Sequence, residues 1–125
     1  MESRYLLFRH ASPSELFEDG QVIFDVGDPG QVMYVVRSGG VELSVGGTVV
    51  ENLQEGDPFG EMALITDAPR SARAVAVGAT ELVPIDVKRF KFLVQASPDF
   101  SLMLMGVMAD RLRAMNERLQ DEGGA

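Results

Sequence analysis

The chain has 125 residues and a formal net charge of −8, with 19 acidic residues against 11 lysines and arginines. This length suits one domain with a buried core, and a hydrophobic content of 46% excludes an intrinsically disordered chain. The acidic balance disfavours a nucleic-acid partner, because the phosphate backbone would be repelled. The absence of cysteine excludes disulfides and thiolate metal sites. We expect a single cytoplasmic domain over residues 1–125.

The N-terminal segment, MESRYLLFRHA, is interrupted by charges at positions 2, 4 and 9. It therefore lacks the apolar core of a secretory signal. No apolar run elsewhere approaches the length of a membrane span, so we expect no membrane partner. The first fifteen or so residues are typical of a short helical or irregular arm.

From about residue 17 to residue 86, short runs rich in β-branched and aromatic residues alternate with turn sequences. Many short strands at even spacing predict an antiparallel sandwich, roll or barrel. Gly46-Gly47 predicts a tight hairpin, since glycine reaches the positive φ that such turns need. Turns are also predicted at 38–40 and at Gly78. The predicted strands cover residues 22–24, 33–36, 41–45, 48–53, 72–77 and 81–85.

The chain after Asp86 has a helical period. Asp86 can cap a helix, and Ser97-Pro98 begins another, with serine as the cap and proline at the first helical position. We expect C-terminal helices over about 87–96 and 98–120. The second helix carries an apolar stripe that suits either core packing or a homodimer. The stripe consists of Met105, Met108, Leu112, Met115 and Leu119.

The candidate binding chemistry is concentrated in residues 59–74, FGEMALITDAPRSARA. A helical turn after Gly60 would present unpaired backbone N–H groups to an anion, and glycine lets a ligand approach closely. Arg70 can offer parallel N–H donors to phosphate oxygens, and Ser71 adds a hydroxyl. Ionised Glu61 can only accept, so it needs a donor such as a ribose hydroxyl. These residues predict a ribose-phosphate site.

The same stretch resembles the phosphate-binding cassette of the cyclic nucleotide-binding domain, the Crp/Fnr-like family of the bacterial catabolite activator and the kinase regulatory subunit. Residues 20–43 are similar to that family as well, whereas Pro58 stands where the family commonly has an aromatic or apolar residue. The matching cassette positions are Phe59, Gly60, Glu61, Met62, Ala63, Leu64, Pro69, Arg70, Ser71 and Ala72.

The resemblance implies a mainly β fold, a jelly-roll-like antiparallel β-roll of two sheets with helices at both ends. It implies that Arg70 holds the cyclic phosphate and that Glu61 holds the 2′-hydroxyl. In relatives the last helix covers the purine, and by position Met115 would lie on the base and Asn116 at its edge. Arg111 and Arg113 are alternative base or stacking partners. The choice between cAMP, cGMP and a cyclic dinucleotide stays open, with Ser71 favouring cAMP slightly.

Catalysis is not expected, because the chain lacks cysteine, a serine–histidine pair and a phosphate-binding loop of the GxxxxGK type. His10, the only histidine, cannot build a metal site alone, and no cofactor is expected. We interpret the chain, which begins with Met1, as a stand-alone signalling module that senses cAMP or cGMP. It would regulate an effector protein by moving its C-terminal helices.

Two alternatives remain. A ligand-free roll could use the methionine-rich helix for interaction or dimerisation, with Glu61 and Arg70 forming only a structural ion pair. A transcription regulator cut before its DNA-binding domain would give the same sequence, because no helix-turn-helix follows the last helix.

Overall fold

The structure of the protein, a computed structural model, describes residues 13–123. Most of the predicted N-terminal arm, including His10, lies outside this range, as do the last two residues. The strands are β1 (Glu15–Phe17), β2 (Val22–Phe24), β3 (Val32–Val45), β4 (Thr48–Leu53), β5 (Pro58–Phe59) and β6 (Arg73–Asp86). The helices are α1 (Met62–Thr66), α2 (Val87–Ala96) and α3 (Pro98–Gly123).

The long strands β3 and β6 form the centre of the antiparallel sheet. They pair from Val32 opposite Asp86 to Ser44 opposite Arg73. β1 and β5 flank one end of this central pair, and β2 and β4 flank the other end. The product is a roll whose two halves share β3 and β6. The predicted fold class, a mainly β antiparallel roll with flanking helices, is confirmed.

The turns predicted at 38–40 and at Gly78 are wrong, because both segments lie inside continuous strands. The register between β3 and β6 shifts twice between Val36 and Gly40. Gly39 and Gly78 have φ of 83° and 73°, in the left-handed region that favours glycine. Bulges of this kind bend a strand without reversing it, which is how one strand serves both halves of the roll. The predicted hairpin at 46–47 is confirmed, and it joins β3 to β4.

The core divides into two clusters because alternate residues of a strand point to opposite faces. One cluster fills the space between the two halves of the roll. It contains Val36, Val41, Leu53, Phe59, Ala74 and Leu82. The other cluster packs one half of the roll against α2 and α3. It contains Met33, Val35, Val83, Ile85, Leu93, Phe100 and Leu104.

The two C-terminal helices begin at the predicted caps. A side-chain oxygen of Asp86 accepts from the Arg89 N–H at 2.8 Å, and the Ser97 hydroxyl accepts from the Phe100 N–H at 3.2 Å. Most of the methionine-rich stripe is not core in this chain. Met105, Leu112, Met115 and Leu119 are 57–59% exposed, whereas Met108 packs against the second cluster.

Within residues 13–123, none of the helices taken singly combines the length and the hydrophobicity that a membrane span needs. The two C-terminal helices reach that length and composition only when taken together across a bend of 109°.

Candidate functional site

A cavity of about 900 Å³ lies between the roll and α3. Three parts of the chain line it: strands of the roll, the segment that contains α1 and the residues around Arg70, and one face of α3. The wall residues that matter below are Phe24, Glu51, Gly60, Glu61, Met62, Ala63, Arg70, Ser71, Arg111 and Met115.

The short helix α1 begins beside this cavity. Gly60 has φ of 80°, which sets the turn that leads into the helix. Glu61 is the N-cap residue, and its Oε2 accepts from the Met62 N–H at 3.2 Å. The Glu61 carbonyl accepts from the N–H groups of Leu64 and Ile65, each at 3.0 Å. The Glu61 carboxylate is thus fixed at the start of the helix, and the residue is only 5% exposed.

The Arg70 guanidinium is buried in the cavity wall, with 7% of the residue exposed. Its Nη2 donates to the Val32 carbonyl at 2.5 Å, and its Nη1 donates to the Gly60 carbonyl at 3.0 Å. Its Cζ lies 4.1 Å from the centroid of the Phe24 ring. Burial lowers the pKa of Arg70, because a low-dielectric surrounding disfavours the charged form.

Arg70 has no carboxylate partner within hydrogen-bond reach in the described part of the chain, and its buried Nε–H has no acceptor there. The groups around it are neutral: two carbonyls accept from its terminal nitrogens and a ring contacts its face, and none of them cancels its charge. The wall of the cavity therefore contains a buried cation without a contacting counterion.

Two glycines make the space that this guanidinium fills. A Cβ at Gly30 would lie 2.6 Å from Nε of Arg70, and a Cβ at Gly60 would lie 2.8 Å from Nη1. From the sequence, the missing side chain at Gly60 is expected to admit a ligand, whereas in the structure Arg70 fills that space. The β2–β3 loop also holds the main chain of Arg70. The Arg70 N–H donates to the Asp28 carbonyl, and the Arg70 carbonyl accepts from the Gly27 N–H, both at 2.8 Å.

At the other end of the cavity, Arg111 of α3 contacts the Glu61 carboxylate through Nη1. Its Nη2 donates to the Pro58 carbonyl, and its Nε lies 2.9 Å from a carboxylate oxygen of Glu51 on β4. We call these three contacts the Arg111 clasp. The clasp fastens α3 to the roll over the cavity. The structural ion pair considered from the sequence, Glu61 with Arg70, is not formed, since Glu61 pairs with Arg111 instead.

The other predicted site residues lie in different surroundings. Met62 and Ala63 line the cavity, and Ser71 lines it from an exposed position. Met115 lines it from α3. Asn116 is exposed and is not part of the cavity wall.

Phe59 supports the wall without lining it. The residue is fully buried, and its ring stacks on Tyr34 at a centroid distance of 5.4 Å. Arg113, one of the alternative base partners, pairs with Asp110 on the exposed side of α3.

Sequence reasoning missed the contacts between distant segments. It named Arg111 only as a base partner, and it gave Glu51 and Phe24 no role at the site. Gly30 was visible in the sequence as the last residue of the GDPG turn. Turn formation alone explains a glycine there, so the sequence did not indicate its contact with Arg70. Nothing local distinguishes Arg111 from the other arginines of α3.

A family model described as the cyclic nucleotide-binding domain matches residues 14–97. The chain belongs to this family. The predicted resemblance is confirmed, and the six-stranded antiparallel sheet with flanking helices is the family's β-roll. The cassette residues around Glu61 and Arg70 lie within the matched segment.

Curated relatives and a solved structure agree with this family. The cAMP-dependent protein kinase regulatory subunit of Dictyostelium discoideum is 41% identical over 85 residues, or 62% of this chain and 26% of that protein. The cGMP-dependent protein kinase of Toxoplasma gondii is 39% identical over 84 residues, or 67% of this chain and 8% of that protein. The crystal structure of the Thermus thermophilus catabolite activator protein aligns with a TM-score of 0.78 at 35% identity.

The alignment to the catabolite activator covers 90% of this chain and 55% of that structure. The chain spans about a quarter or less of the two kinase proteins. The similarity to these three relatives is therefore a similarity to their cyclic nucleotide-binding domains, which have a regulatory fold.

Proposed function

We propose that this cyclic nucleotide-binding domain is a single sensor module that binds cAMP or cGMP in the cavity beneath α3. The observation that carries the proposal is the buried Arg70 guanidinium without a contacting counterion. Burying a charge costs free energy unless an opposite charge or hydrogen bonds compensate. The single negative charge of a cyclic phosphate would supply that compensation in the cavity.

The phosphate would lie against Arg70, with the Ser71 hydroxyl and the backbone of Gly60, Met62 and Ala63 around it. A guanidinium has five N–H bonds, and the two carbonyls accept one each. The remaining donors suit the two free oxygens of a phosphodiester. Glu61 would accept from the ribose 2′-hydroxyl at the start of α1.

The purine would reach towards α3. Met115 would contact the face of the base, since a thioether packs well against an aromatic ring. Asn116 would meet the base edge only if α3 turned or shifted, because its side chain now lies outside the cavity wall. The relatives named for cAMP and for cGMP support both nucleotides. Ser71 favours cAMP slightly.

A thermal-shift panel on the full chain tests this function. We expect cAMP or cGMP to raise the melting temperature in a concentration-dependent manner, because a ligand that binds only the folded state stabilises it. Linear 5′-AMP is the matched control, since it has the same base and sugar but a dianionic, open phosphate. If no cyclic mononucleotide raises the melting temperature, the ligand-free interaction protein becomes the better description.

We further propose that binding is transmitted through the Arg111 clasp. A ligand hydroxyl at Glu61 competes with Arg111 for the same carboxylate, so it weakens the attachment of α3. A ligand with different affinities for the attached and released states shifts the population between them. The exposed stripe on α3 would then dock an effector protein or a second copy of the chain.

Hydrogen exchange of α3 measures this coupling directly. We expect the amides of residues 99–120 to change protection when a saturating cyclic nucleotide is added. The amides of the β3–β6 central pair serve as the internal reference and should change little. Equal protection of α3 in both states would rule the coupling out.

A further inference from the structure

Phe24 forms part of the cavity wall at the end of β2, with the Arg70 guanidinium over its ring. The Phe24 ring lies 5.9 Å from the ring of Phe59, and Phe59 in turn stacks on Tyr34 at 5.4 Å. Three aromatic side chains therefore form a column that ends at Arg70. Phe59, the middle ring of the column, is fully buried.

We propose that Phe24 is a positioning residue for the anion site, holding the Arg70 guanidinium in its binding orientation before the ligand arrives. This inference rests on the proposed nucleotide site, and it adds a residue that lies outside the cassette. The negative face of an aromatic ring attracts a guanidinium within about 6 Å of the ring centroid. The observed distance of 4.1 Å is well inside that limit.

An aromatic ring suits this task better than a carboxylate would. A carboxylate would bind the N–H edge of Arg70 and compete with the phosphate for it. A ring contacts the flat face instead and occupies none of the N–H donors. Phe24 thus holds the cation without neutralising it, and it occupies none of the N–H groups that the two carbonyls leave unused.

Gly30 and the two carbonyls complete the constraint. The carbonyls of Val32 and Gly60 fix both terminal nitrogens, and Gly30 leaves room for Nε. With these groups in place, few other orientations are open to the guanidinium. Ordering a free arginine side chain at binding costs conformational entropy, and a side chain already held in place avoids most of that cost.

A fluorination series at position 24 tests the proposal. Phenylalanine is replaced in the full chain by its monofluoro, difluoro and trifluoro analogues, which weaken the negative face of the ring in steps and change its size little. We expect the affinity for cAMP, measured by calorimetry, to fall with each step, to a total of about 3- to 10-fold. The same series at Phe90, which packs on Phe100 in the other cluster, is the control and should leave affinity unchanged.

The outcomes separate this inference from the proposed function. If the unmodified protein binds cAMP and the series at position 24 is flat, Phe24 has no positioning role although the site stands. If the unmodified protein binds no cyclic nucleotide, the proposed function fails, and NMR of the ligand-free protein still decides the role of Phe24.

In that NMR measurement, the Nε–H signal of Arg70 should be shifted by the ring current and should exchange slowly with water. Phe24→Leu should remove the shift and speed the exchange, while Phe24→Tyr should keep both. An Arg70 signal that is the same in Phe24→Leu as in the unmodified protein would overturn the proposal.

Discussion

The two ends of the cavity hold their charged groups in opposite ways. At one end, two carbonyls and an aromatic ring hold Arg70, and none of these groups cancels its charge. All of them come from residues that precede α2, so α3 makes none of these contacts. At the other end, Arg111 from α3 neutralises Glu61. Whether that carboxylate is paired therefore depends on the position of α3.

This difference indicates that Arg70 and Glu61 have different roles in binding. A charge held by neutral groups keeps its attraction for a counterion, whereas a charge already in an ion pair has to exchange one partner for another. We expect the Arg70 end to supply most of the binding free energy. We expect the Glu61 end to supply less, and to convert binding into a change at α3.

Removing the Arg70 guanidinium tests most directly whether it supplies most of the binding free energy. Arg70→Ala should cost about 2–5 kcal/mol of binding free energy for cAMP, as for truncating one side of a desolvated charge pair. Calorimetric titration measures the loss. Arg73→Ala is the matched control, because Arg73 is an exposed arginine at the start of β6 outside the cavity wall. Unchanged affinity without Arg70 would place the nucleotide elsewhere.

Removing the clasp tests the other end of the cavity. Arg111→Ala leaves the buried Glu61 carboxylate without its charged partner, so we expect about 1–3 kcal/mol of lost folding stability. Hydrogen exchange in α3 should become faster even without ligand. Arg113→Ala removes an exposed pair on the same helix and should cost at most about 1 kcal/mol. Equal losses in the two variants would show that the clasp does not hold α3.

Removing Glu61, the proposed partner of the ribose, should affect binding less than removing Arg70. Glu61→Ala should weaken cAMP binding by about 1.5–3 kcal/mol, the range for a hydrogen bond to a charged group. This loss should be smaller than the loss caused by Arg70→Ala. The variant should also narrow the difference in affinity between cAMP and its 2′-deoxy analogue. If that difference is the same in both proteins, Glu61 does not contact the 2′-hydroxyl.

Features that depend on neighbouring residues were predictable from the sequence. The hairpin at 46–47 and the caps at Asp86 and Ser97 each follow from a few adjacent side chains. The cassette around Glu61 and Arg70 was recognisable as a motif, because its residues lie close together in the chain. The binding roles predicted for those residues stay predictions, and their partners in the fold come from distant segments.

Features that depend on distant contacts were not predictable. A glycine with positive φ suits a turn and a bulge equally, so Gly39 and Gly78 predicted chain reversals where β3 and β6 only bend. The partner of Glu61 lies 50 positions away in sequence, on a helix that carries several arginines. Only the packing of α3 against the roll selects Arg111 among them.

Glu81, which is not part of the cavity wall, is the reference for a carboxylate that is paired but solvated. A hydrogen bond from the Ser14 hydroxyl, together with Arg37, lowers the pKa of Glu81 below its ordinary value of 4.5. An acid with a lowered pKa stabilises the fold above its ordinary pKa, and this contribution is lost as the pH falls through the lowered value. Ser14→Ala should therefore raise the pKa of Glu81 towards its ordinary value. The carboxylate then contributes less stability above that value, and the smaller contribution is completely lost at a higher pH.

NMR titration of the Glu81 side chain measures that shift, and the affinity for cAMP should not change in the same variant. Because Glu81 lies on the solvated surface, water screens its charge. We therefore expect Ser14→Ala to lower the folding stability at neutral pH by less than Arg111→Ala does. A Glu81 pKa that is unaffected by Ser14→Ala would assign the lowering to Arg37 alone. A large loss of stability would mean that pairing matters as much at the surface as at the cavity, and the contrast between its two ends would then lose its basis in burial.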